Sequence, residues 1–179
     1  MSRVLSPLFL TALSLLAMSS CGLLSTAEAA GPWKDQIVDA ETGQPLEGVV
    51  VLGYWIKYQA SLAGWAGGKY YDSEEVVTGP DGRFVIQSRW TYTIPAFTKV
   101  SGPEWVIFKP GYGEWRSRGT GEGFDQGKEI VIELLPMKTR EERLRFYRTL
   151  SWAPVVPPER TKSLDAVVKK ERAYLGFRN

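Results

Sequence analysis

The stretch DAETGQPLEGVVVLGYW, from Asp39 to Trp55, constrains the fold of this chain more than any other. A polar run dense in turn formers passes within a few residues into an apolar one. Gly43 permits positive φ and Pro45 fixes φ near about −65°, so the first half turns the chain. In the second half Val49, Val51 and Trp55 alternate with Val50, Leu52, Tyr54 and Ile56. Both faces of an extended segment are then apolar, which predicts a central strand covered on both sides. Gly53 interrupts it, a mark of a bulge or of close backbone approach.

The same alternation of turn and apolar run continues downstream. QIVDA is a short strand before the turn. EEVVT and RFVIQS flank GPDGRF, where Pro80, Asp81 and Gly82 suit successive positions of a three-residue hairpin turn. EWVIFK is a strand closed by PGY, and KEIVIELLP is the last, with Ile130, Ile132 and Leu134 alternating. RWTYTIPAFTKVSGP reads as a strand broken near Pro95, or as an edge segment. Two glycine-rich stretches, QASLAGWAGGKYYDS and GEWRSRGTGEGFDQG, read as long loops. Beyond Pro136 the period changes. MKTREERLRFYRTLS predicts a helix with a Thr139–Glu142 capping box and a stripe of Leu144, Tyr147 and Leu150. A proline-rich connector leads to a second helix, SLDAVVKKERAYLGF, with Ser163 as its expected N-cap. Leu164, Val167, Val168, Glu171 and Tyr174 fall on one of its faces.

Composition removes whole classes of chemistry. Histidine is absent and cysteine occurs once among 179 residues. That excludes a Ser-His-Asp triad, a Cys-His pair, a His-ligated metal and an internal disulfide. The net charge of +2 is too small, and the basic residues too interleaved with acids, for nucleic-acid binding. The remaining acids form two clusters, Asp72 with Glu74 and Glu75, and Glu122 with Asp125. A glycosidase needs two carboxyls about 5–9.5 Å apart across a cleft, and sequence proximity in polar stretches does not provide that. DSEE lacks EF-hand spacing, and Ser151 with Lys162 lacks S-x-x-K spacing. No catalytic residue, cofactor or metal is expected, and a carboxylate-dependent hydrolase is the remote alternative.

The N-terminus reads as an export signal. Arg3 precedes an apolar run from Leu8 to Met18. The run is shorter than the roughly 20 residues a membrane-spanning helix needs. AMSSC, ending on Cys21, resembles a bacterial lipobox, which implies cleavage before Cys21 and lipidation there. Gly22, rather than Asp, after that cysteine implies the outer membrane, by resemblance to Gram-negative lipoproteins. TAEAAG offers a competing Ala-x-Ala cleavage after Ala29, which would leave a soluble periplasmic or secreted chain. Residues 22–32 are read as a linker.

Three blocks, IVDAETGQPLEGVVV (Ile37 to Val51), TGPDGRFVI (Thr78 to Ile86) and VIFKPGY (Val106 to Tyr112), together resemble the carboxypeptidase regulatory-like domain. The resemblance covers residues 33–136 and implies a mainly β, antiparallel, transthyretin-like sandwich. The long aromatic insert after the central strand departs from the compact family pattern, and the helical extension at 137–179 lies outside it. Such domains are accessory modules, so the resemblance implies no enzyme. The expected function is a non-catalytic envelope scaffold that binds a protein partner, with membrane contact only through an anchor at Cys21. Sandwich edges can accept a strand from a partner, and the tail helices can dock on their own sheet or on another chain. The alternative is peptidoglycan or other glycan binding through Trp65, Tyr70, Tyr71, Tyr112 and Trp115, whose flat rings suit stacking on sugars. Trp55, Trp90 and Trp105 are read as core.

Overall fold

The computed structural model describes residues 26–94, 96–118, 128–150 and 153–177. The apolar run, Cys21, the Glu122–Asp125 cluster, Ser151 and Pro95 lie outside them. The chain is mainly β. A four-stranded sheet has the order β5 (Arg83–Ile86), β2 (Trp33–Asp39), β9 (Val131–Pro136), β8 (Tyr112–Arg118). Only its β2–β9 pair is parallel. A three-stranded antiparallel sheet has the order β4 (Gly64–Val77), β3 (Val50–Ser61), β7 (Thr98–Phe108). A separate ribbon pairs β1 (Thr26–Ala30) with β6 (Arg89–Thr93). Helices α1 (Arg140–Thr149) and α2 (Lys162–Leu175) complete the fold.

The doubly apolar strand is the centre of this arrangement. Val49, Val51 and Trp55 enter a core between the two main sheets with Trp33, Ile37, Phe84, Ile86, Ile132 and Leu134. Val50, Leu52 and Tyr54 face the other way and pack with Phe108, Val156 and Leu164. The outer layer on that side is the helical extension, so the tail docks on its own sheet. Burying both faces of one strand lets a small sandwich hold two cores.

The turns form where the glycines and prolines predict, but two of them join different sheets. Gly82 takes φ +70 and its amide donates to Gly79 O at 2.9 Å. Yet β4 and β5 do not pair as the expected hairpin; they lie in different sheets. The reason is hydrogen bonding on each side of the corner. Thr78 is buried, donates Oγ1 to Leu46 O at 2.6 Å and accepts from Val49 N at 2.9 Å. Gly82 O accepts from Ile37 N on β2 at 2.8 Å. The turn after Phe108 likewise passes from β7 in one sheet to β8 in the other.

Both expected loops are corrected. QASLAGWAGGKYYDS continues β3 into β4 as a long hairpin whose last pair is Ser61 with Gly64. In the second glycine-rich stretch residues 113–118 belong to β8, and 119–127 lie outside the described residues. Cross-strand partners, rather than local composition, set both segments as strands. Thr26–Ala30, within the expected linker, is a strand too. Trp90 is also corrected: it is 62% exposed on the ribbon, whereas Trp55 is buried and Trp105 packs at the core margin.

The capping box at Thr139 forms in full. At α2 the expected Ser163 cap does not; the N-cap is Thr161, with no side-chain cap bond of its own. The sheet supplies the acceptor instead. Glu75 Oε1 and Oε2 on β4 accept from Ser163 N at 2.8 Å and Leu164 N at 2.9 Å. A carboxylate there meets the positive end of the helix dipole and satisfies two orphan amides. Glu171, an odd acid on the apolar face of α2, is paired by Arg143 of α1. Arg143 Nε donates to Glu171 Oε1 at 2.7 Å and a second guanidinium nitrogen donates to Oε2. The Arg143 guanidinium also lies 3.6 Å from the centre of the Tyr174 ring.

Candidate functional site

The five aromatic residues singled out from the sequence do not share one surface. Consecutive residues on a strand face opposite ways, and a bulge modifies this at β4. Trp55 pairs with Asp72 and Ile56 with Tyr70, leaving Tyr71 as the extra residue. Tyr70 packs on the helix side of the sheet and Tyr71 on the core between the sheets. The Tyr71 hydroxyl accepts from Tyr92 N at 3.2 Å. Trp65 is half exposed near the tip of the β3–β4 hairpin.

Tyr112 and Trp115 would face opposite ways on a regular strand. A register shift between them turns both onto the core between the sheets. The Tyr112 hydroxyl donates to Asp39 Oδ2 at 2.9 Å. Asp39 Oδ1 accepts from Glu41 N and Thr42 N, each at 2.8 Å. Burial opposes the charge on Asp39, but the bonds from Thr42, Tyr112 and Glu41 outweigh it and hold the carboxyl below its usual range. Asp39 thus fixes the ETGQP turn and ties it to β8, a structural task.

The acidic cluster on β4 is divided in the same way. Asp72 and Glu74 both bind Arg89, at 2.9 and 3.1 Å, beside the Trp55 ring. Glu75 points to the other side and caps α2. The three carboxylates therefore do not converge. Asp35 is a separate buried acid. Its pKa is raised by burial, against the pull of a 2.9 Å bond from Ile130 N. No group of three or more metal-ligating acids or cysteines gathers among the described residues, and no described helix is long and apolar enough to cross a membrane.

A groove of about 440 Å³ opens where the two sheets part. Its walls are Trp105, Val106 and Ile107 of β7, Glu114 and Trp115 of β8, and Phe146, Thr149 and Leu150 of the α1 region. β7 and β8 are the outer strands of their sheets among the described residues. The PGY turn holds them side by side, with Tyr112 N donating to Lys109 O at 3.0 Å. Trp105 meets Trp33 edge to face at 5.7 Å, which holds its ring against the core beside the groove. Of the groove residues, only Trp115 is a ligand candidate from the sequence; Trp105 is read there as core and Leu150 as part of a helix stripe. Phe146 and Leu150 are four apart, a helical spacing that points both to one face of α1. No family model, curated protein or solved structure matches the chain.

Proposed function

We propose that the chain is a non-catalytic accessory module of the bacterial envelope, built on a transthyretin-like sandwich. In this reading it holds an extended segment of a partner protein between β7, β8 and α1. The observation that carries the reading is the groove itself. Two outer strands flank a trough of mixed character, where Trp105, Trp115, Phe146 and Leu150 stand beside Glu114 and Thr149. Outer strands offer backbone donors and acceptors that an added strand can pair, and alternate side chains of that strand would drop into the trough. The resemblance of the three turn blocks to carboxypeptidase regulatory-like domains agrees with an accessory role.

Export with an anchor at Cys21 is part of the same proposal. Its support is β1. Cleavage before Cys21 retains Thr26–Ala30, which pair with β6, whereas cleavage after Ala29 removes four of those five residues. Glycan stacking on Trp115 is the second reading, favoured by its position beside Trp105 and Glu114 in the groove.

A photo-crosslinking residue in place of Thr149, at the groove rim, tests both readings in cells, with Val85 on the opposite outer strand as control. A discrete protein adduct from position 149, lost on Trp115→Ala, is the expected result. An adduct with cell-wall polysaccharide transfers the groove to the second reading. No adduct beyond the Val85 control contradicts both.

A further inference from the structure

The far end of the β3–β4 hairpin carries a different surface. Trp90 and Tyr92 on β6 and Ile94 just beyond it alternate with Thr91 and Thr93. They are 62, 61 and 46% exposed. Phe97, in the turn that follows, and Trp65 and Leu62, at the hairpin tip, are also exposed. These segments are joined: Ala60 N donates to Phe97 O at 2.8 Å, and Ala60 pairs across the hairpin with Trp65. Phe97, Trp65 and Leu62 thus gather at the tip, with Tyr92 and Trp90 exposed further back along the ribbon, and large exposed apolar side chains of this kind mark a contact surface.

The hairpin part of this end is basic, while the ribbon carries Glu28 opposite Thr91. Residues 56–71 and 89–103 contain Lys57, Lys69, Arg89 and Lys99 and no carboxylate. Arg89 is engaged by Asp72 and Glu74. Lys57 and Lys69 are direct cross-strand partners, and Lys99 pairs with Tyr58 on the adjoining strand. Like charges opposite one another destabilise a strand pair, so the arrangement costs stability unless an anion lies against it. Tryptophan and tyrosine beside lysine is the composition that settles at the headgroup level of a bilayer.

Chain direction adds an independent observation. β1 runs antiparallel to β6, with Thr26 opposite Thr93 and Ala30 opposite Arg89. The polypeptide therefore joins the domain at this end, next to Ile94 and Phe97. Cys21 precedes Thr26 by five residues, a reach of at most about 18 Å.

We propose that this end of the domain rests on an anionic lipid surface, with Leu62, Trp65 and Phe97 at headgroup depth and the lysines on lipid phosphates. The domain would then stand on the membrane by its hairpin tip and present the β7–β8 groove sideways. The idea uses the anchor reading only for how the chain reaches the membrane; tip contact is a separate claim.

The test uses the full chain with Cys21→Ser, so that one added cysteine takes an environment-sensitive fluorophore. Leu62→Cys places it at the tip, and Lys170→Cys on α2 serves as control. Vesicles of phosphatidylglycerol and phosphatidylethanolamine carry a headgroup-depth quencher. The expected result is a blue shift and quenching at position 62 and neither at 170. Substituting Lys57, Lys69 and Lys99 by Gln should weaken vesicle affinity by about fivefold per lysine. Chain that floats with vesicles while the label at 62 stays in water overturns tip contact and, with Cys21 replaced, has no bearing on the anchor. Absence of vesicle binding overturns it as well. A label at 62 shielded before vesicles are added, and unchanged after, assigns the tip to the chain's own apolar N-terminal segment and overturns the lipid assignment.

Discussion

Removing Arg143 should cost more stability than any other surface-proximal substitution in the helical layer. Its partner Glu171 has a side chain only 2% exposed, while the Arg143 side chain is 15% exposed. Arg143→Met leaves that carboxylate buried without its cation and without two donated hydrogen bonds. Breaking a buried pair in this way costs about 3–5 kcal/mol. Loss of the contact over the half-exposed Tyr174 ring adds roughly 0.5–1 kcal/mol. For a chain of this size each kcal/mol lowers the melting midpoint by roughly 2–4 °C, so the expected fall is about 7–24 °C. Glu171→Leu should cost less, because the freed guanidinium can turn toward water. The double variant should recover most of the loss, since replacing a buried pair by apolar groups is often neutral or stabilising by about 1–4 kcal/mol. Urea unfolding followed by far-ultraviolet dichroism gives all three values. A coupling energy of about 3 kcal/mol between the sites is expected. Single variants within about 0.5 kcal/mol of wild type, adding without coupling, would refute a buried, paired Glu171 and with it the packing of α1 on α2.

Two further outcomes follow from the same contacts. Glu75→Ala removes the acceptor for Ser163 N and Leu164 N and should destabilise the fold by about 0.5–2 kcal/mol, with helical dichroism falling first; unchanged stability would mean that α2 is capped without the sheet. Tyr112 is pushed up to about 12, mainly by burial and then by its bond to Asp39, and Tyr54 is raised by burial and by its 2.7 Å bond to Glu104. A raised phenol contributes stability that is complete below the unfolded value near 10 and is lost as pH rises through about 12. Spectrophotometric titration should therefore show Tyr112 resisting ionisation until about pH 12, and Tyr112→Phe should delete that late step. A Tyr112→Phe titration curve that retains that late step would contradict the Tyr112–Asp39 bond.

Local chemistry made much of this fold legible, and pairing partners decided the rest. Val49 to Ile56 announced a strand with two apolar faces, and it lies between two cores. Thr139 and Glu142 announced a helix start, because a capping box is complete within four residues. Gly82 announced a turn, but whether β4 and β5 pair across it depends on Leu46, Val49 and Ile37, far away in sequence. The glycines of residues 64–68 looked like loop because a hairpin arm draws its hydrogen bonds from the opposite strand. Trp90 was misplaced in the core, although its alternation with Thr91 and Thr93 carried the sign of a strand with one apolar face. The groove was the least legible feature. Trp105, Trp115 and Phe146 belong to three elements, and only the PGY turn and the docking of α1 bring them together. The helix acceptor Glu75 was hidden for the same reason, 88 residues from the amide it caps.

The groove reading is tested most directly by amide hydrogen exchange of the full chain, alone and with the partner segment that crosslinks at Thr149. Slowed exchange along Tyr112–Arg118, abolished by Trp115→Ala, is what strand addition at β8 predicts. Unchanged exchange along that strand, with protection only at the hairpin tip or on α2, would contradict it.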